Sequence, residues 1–80
     1  MSRTGEQAEA LALRALAFIA GDEDRFYRFL LSTGTTPDDV RRRAAEPDFL
    51  LGVIDHLLTD EALLIAFAED AALEPSDVAA

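Results

Sequence analysis

Apolar and polar positions along this chain follow helical spacing almost from end to end. Between Ala8 and Ala20 only Glu9 and Arg14 are polar, so a first predicted helix, Glu6–Ala20, has an apolar surface wrapping most of the way round its axis. A helix of that kind is packed on several sides or meets a partner chain. Gly21 is placed to end it as the C′ residue. Asp22, Glu23 and Asp24 then supply the N-cap and acidic first turn of a second helix that continues through Thr33 and stops at Gly34. Phe26, Phe29, Leu30 and Thr33 fall at i, i+3, i+4 and i+7 and give it one aromatic-rich face, with Arg25, Arg28 and Ser32 on the other side.

Thr36 caps a third, shorter helix with Pro37 at its first position and Asp38 and Asp39 behind it. Arg41, Arg42 and Arg43 close that helix at its negative end, within reach of Asp38, Asp39 and Glu46, and Pro47 stops it. A fourth helix starting near Pro47 or Asp48 carries Leu50, Ile54, Leu57 and Leu58 on one face, with Asp48, Gly52 and Asp55 opposite. Thr59 or Asp60 caps a fifth, in which Ala62 to Ala68 is an unbroken apolar run closed by Glu69 and Asp70. Pro75–Ala80 forms a sixth element, too short to stand without docking. Residues 1–5 carry no periodicity and read as a frayed lead-in.

Shifting the sequence by 38 residues superposes Leu13 on Leu51, Asp22 on Asp60, Glu23 on Glu61, Phe29 on Phe67, Pro37 on Pro75, Asp39 on Asp77 and Val40 on Val78. The same shift aligns apolar positions Leu11/Phe49, Ala15/Val53, Leu16/Ile54, Ile19/Leu57 and Phe26/Leu64. Residues 8–42 and 46–80 thus form an internal repeat of helix, acidic cap, helix and Pro-capped short helix. Either the halves share an origin, or two amphipathic hairpins of similar length align by chance. Two repeats are too few for a solenoid, which needs about three. The expected fold is therefore all-α: one domain over residues 1–80, a compact bundle of five to six short helices with pseudo-two-fold symmetry. Helices one and five, apolar nearly all round, either form its centre or leave part of their surface as an interface.

Composition narrows the chemistry. Fifteen Ala and twelve Leu against three Ile and three Val favour helix over strand. Sixteen acids against seven arginines give a net charge of −9, which repels phosphate backbones and anionic membranes. Nucleic acid is thereby disfavoured as a partner, and Arg41, Arg42 and Arg43 form only a weak nucleic-acid candidate whose arginines are within reach of acids. The chain has no cysteine and a single histidine, which leaves no thiolate chemistry and no expected metal site. Arg14 interrupts the apolar stretch Ala10–Ala20, too short for a membrane span or a secretory core and flanked by Glu6 and Glu9, so a cytoplasmic protein is expected.

Asp22-Glu23-Asp24 lacks the alternation and glycine of a calcium loop, and no phosphate-binding glycine motif is present. His56 can reach Asp60 at i+4 as a surface pair, but no nucleophile stands in a catalytic setting near it. No catalytic residue and no cofactor is expected, and the chain does not read as an enzyme. Gly52 costs about 1 kcal/mol against Ala inside its helix, which points to close approach of another helix backbone, from the same chain or from a partner. Leu11, Phe18, Phe26, Tyr27, Gly52 and Leu64 make up the candidate interaction surface.

The runs Ala8-Glu9-Ala10-Leu11-Ala12-Leu13, Arg28-Phe29-Leu30 with Thr33-Gly34, Pro37 with Asp39-Val40-Arg41, Phe49-Leu50 with Gly52-Val53-Ile54-Asp55, and Asp60-Glu61 with Leu63-Leu64 and Phe67 are strung in order over residues 8–78. In them the chain resembles the small all-helical alphaproteobacterial proteins of domain-of-unknown-function family 3572. The resemblance implies a compact helical fold in a bacterial cytoplasm and brings no activity, cofactor or site residue. The expected role is a non-catalytic protein-interaction or adaptor domain that binds a protein partner or forms a homodimer. The alternative is a nucleic-acid-associated regulator using the Arg41–Arg43 helix.

Overall fold

Helix starts and stops written into the sequence set the element boundaries. The computed structural model describes residues 5–79, which form six helices and no strand among the described residues. They are α1 (Gly5–Ala20), α2 (Glu23–Thr33), α3 (Pro37–Arg43), α4 (Pro47–Thr59), α5 (Glu61–Asp70) and α6 (Pro75–Ala79). Of the predicted lead-in, residues 1–4 lie outside the described residues, as does Ala80, and Gly5 already belongs to α1.

The caps are side-chain hydrogen bonds to backbone amides that a helix start leaves unpaired. Asp22 Oδ1 accepts from the Arg25 amide at 3.0 Å, and Asp60 Oδ1 accepts from the Leu63 amide at 3.1 Å. Thr36 and Asp39 form a reciprocal capping box at α3, and at the corresponding position the Glu74 amide donates to Asp77 Oδ2 at 3.1 Å. Asp60 serves twice, since its amide also donates to Leu57 O at the end of α4. The connections are therefore one to four residues long, which forces antiparallel or steeply crossed neighbours.

The core joins both halves of the chain. Leu11, Ala15, Leu16 and Ile19 of α1 meet Phe49, Val53 and Leu57 of α4, with Phe29, Val40, Leu63, Phe67 and Val78 closing around them. The most extensive helix pair is α1 with α4, so of the two arrangements open to helices one and five the first, a centre made by that pair, does not hold, and α5 keeps part of its apolar surface uncovered. Length decides this: α5 has ten residues and leaves Ala62 and Ile65 exposed, whereas α4 has thirteen and packs on α1, α2 and α5. The buried stripe of α4 is likewise Phe49, Leu50, Val53 and Leu57, and Leu58 is exposed. The radius of gyration is 11.7 Å, against about 12 Å for a compact domain of this length.

Symmetry extends from sequence to contacts. Phe18 of α1 packs on Phe67 of α5 at 5.7 Å between ring centroids, and His56 of α4 packs edge-on to Phe29 of α2 at 5.1 Å. The 38-residue shift exchanges these two pairs, as a pseudo-two-fold axis requires. Gly34 has φ 69° after α2 and Ala72 has φ 57° after α5, again equivalent positions. Thr35 N to Leu30 O (3.2 Å) and Leu73 N to Ala68 O (2.8 Å) close the two turns in the same way. Gly21 follows the last residue of α1 as predicted, but without a positive φ. A Cβ there would lie 3.3 Å from the Ala17 carbonyl oxygen, and that close approach is what the glycine accommodates.

Candidate functional site

The six residues of the predicted interaction surface do not converge. Leu11 is 5 % exposed and belongs to the core, because α1 turns this position onto α4. Phe18, Phe26 and Leu64 are half-buried and pack against the core from its edge. Tyr27 stands 63 % exposed on α2. Gly52 is half-buried on α4, and an added Cβ would meet nothing within 4 Å. No backbone of this chain approaches it, which removes the expected close helix crossing within the chain, and nothing else in the structure explains the glycine.

What the fold does leave open is an apolar groove between α1 and α4. Ala8 and Ala12 form one wall, Pro47, Leu50, Leu51 and Ile54 the other, and Glu9 stands at the edge of a space of about 200 Å³. Leu51 is 61 % exposed there and its counterpart in the first half, Leu13, is 45 % exposed. The repeat carried the signal for this pair, since leucine recurs at both positions, but amphipathic spacing alone could not say which face of α1 or α4 would remain uncovered.

The arginine triplet is neutralised locally. Arg41 pairs with Asp38, Arg42 with Asp39, and Arg43 Nε lies 3.5 Å from Glu46 Oε1 while its guanidinium sits over the Phe49 ring. Cap hydrogen bonds from Thr36, aided by Arg42, hold the Asp39 carboxyl below its usual pKa. These contacts follow the i,i+3 spacing of the sequence.

A second groove lies between α2 and the α4–α5 corner, about 240 Å³, lined by Arg25, Arg28, His56, Asp60, Ala62, Leu63 and Ala66. His56 is half-buried rather than a surface residue, and its Nδ1 is buried without a hydrogen-bond partner. Burial lowers its pKa, opposed by the negative charge of Asp60. Asp60 spends one carboxylate oxygen capping α5.

Among the described residues no group of three or more histidines, cysteines or acids is placed to hold a metal ion, and no helix is long and apolar enough to cross a membrane. A family model described as Protein of unknown function (DUF3572) matches residues 5–80. No curated protein and no solved structure matches the chain.

Proposed function

The chain belongs to the DUF3572 family, and from that premise we propose that it is a non-catalytic, cytoplasmic protein-interaction domain whose α1–α4 groove receives an amphipathic helix of a partner protein. The observation that carries this reading is the exposed leucine on the groove, Leu51, in a lining otherwise made, apart from Glu9, of Ala8, Ala12, Pro47, Leu50 and Ile54. A helix laid in such a groove buries its i, i+3, i+4 residues. Charge gives the partner's chemistry: Glu9 at the edge and a net charge of −9 select a helix with basic residues flanking its apolar stripe. The nucleic-acid alternative has less support, since each arginine of the Arg41–Arg43 helix already faces a carboxylate.

The test is fluorescence anisotropy with a labelled leucine-striped, lysine-flanked helical peptide and a scrambled peptide of identical composition. The striped peptide is expected to bind, and Leu51→Glu to weaken it by about tenfold or more, the cost of setting a charge against an apolar face. Tyr27→Ser, away from the groove, should leave binding unchanged. Equal affinity for both peptides, or no effect of Leu51→Glu, overturns the proposal. A concentration-dependent rise in mass by light scattering that Leu51→Glu abolishes replaces the partner helix with a second copy of the chain.

A further inference from the structure

We propose that the groove between α2 and the α4–α5 corner is a binding site for a small organic phosphate ester, with Arg25 and Arg28 gripping the phosphoryl group. It shares no lining residue with the α1–α4 groove and stands independently of the reading above.

Charge pairing is the first argument. Acids outnumber arginines by more than two to one, and Arg41, Arg42 and Arg43 each pair with a neighbouring carboxylate. Arg14 reaches the Ala71 carbonyl oxygen at 3.4 Å. Arg25 and Arg28 differ: among the described residues neither has a carboxylate partner within 4.0 Å, although Asp60 lines the same groove. They stand at i and i+3 on α2, on one side of the helix, and the Arg25 guanidinium is set over the Phe18 ring at 4.2 Å. Two arginines one helical turn apart on one groove, neither paired to a carboxylate, suit a doubly charged tetrahedral oxyanion better than a single carboxylate.

Symmetry is the second. The counterparts of Arg25 and Arg28 under the 38-residue shift are Leu63 and Ala66, and these line the same cavity from the other side. Phe18, in the first half, is likewise replaced by His56 in the second. At this cavity, then, the halves differ in chemistry: one contributes cations, the other an apolar wall of Ala62, Leu63 and Ala66 with a histidine at its edge. That combination suits a phosphoryl group joined to a small apolar stem. The single carboxylate in the lining, Asp60, is engaged by the Leu63 amide.

The experiment is an amide and histidine-ring NMR titration at constant ionic strength with inorganic phosphate, phenyl phosphate and benzoate. Phenyl phosphate is expected to give saturable shifts confined to residues 25–29 and 56–66 and to bind more tightly than either other probe. Arg28→Gln, at an exposed position, should weaken it about tenfold, as loss of one charge-assisted hydrogen bond does, while Arg41→Gln leaves it unchanged. Circular dichroism of each variant verifies the fold. Non-saturating shifts spread over all arginines, wild-type binding by Arg28→Gln, or benzoate binding tighter than phenyl phosphate overturns the assignment.

Discussion

His56 shows how one substitution between equivalent positions changes what a side chain does. In the first half the position is Phe18, packed at a tilt against Phe67; in the second it is a histidine packed edge-on to Phe29, with a buried and unpartnered Nδ1. Burial depresses its folded pKa below the ordinary histidine value of 6.5, so the unfolded chain binds the proton more readily. The linkage sign follows: stability is greatest above pH 6.5, falls as pH drops through that value, and the loss is complete below the folded pKa. His56→Phe, which installs the residue found in the first half, is expected to remove this leg. Urea midpoints measured from pH 8 to pH 5.5 should decline for the wild type and stay flat for the variant over the same window, which lies above the usual carboxylate range of about 4. The sequence made His56 visible as the lone histidine with Asp60 at i+4, but its burial comes from Phe29 on another helix, which spacing within α4 could not reveal.

Among the elements, the helix ends were the most legible part of the chain, because capping is local chemistry over three or four residues. Asp22, Thr36, Pro37, Gly34 and Asp60 act at the positions that the sequence assigns them. Ala72 was hidden, since alanine gives no sign of a left-handed residue, although its counterpart Gly34 does. A non-glycine residue in that region is strained by roughly 1 kcal/mol. Ala72→Gly is therefore expected to stabilise the protein by up to about that amount, and Gly34→Ala to destabilise it by a similar amount. Chemical denaturation of the two single variants measures both, and a shift of the same sign in both would contradict the equivalence of the two turns. The acids Glu69 and Asp70 at the end of α5 oppose the helix dipole, and Arg14 from α1 brings a guanidinium to the Ala71 carbonyl at that same end. That compensation is tertiary, 57 residues apart in sequence.

For the molecule as a whole, the dominant interface is between α1 and α4, one helix from each half. A 38-residue half would expose the buried sides of Leu11, Ala15 and Ile19, or of Phe49, Val53 and Leu57, and chains below about 40 residues rarely hold a core unaided. Unfolding is accordingly expected as a single transition, with urea midpoints that coincide for amides in residues 5–43 and 47–79. Two separated midpoints would mark the halves as independent units. The periodicity, the caps and the 38-residue repeat determined the class, the number of helices to within one and the pairing of equivalent positions, because each depends on residues close together or on a regular spacing. Which helices lie at the centre, why Leu11 is covered and Leu51 is not, and how two arginines of α2 come to line one groove with His56 were decided by the tertiary structure. These depend on how helices of unequal length share one small core, and an apolar run has no direction until a neighbour covers one of its sides.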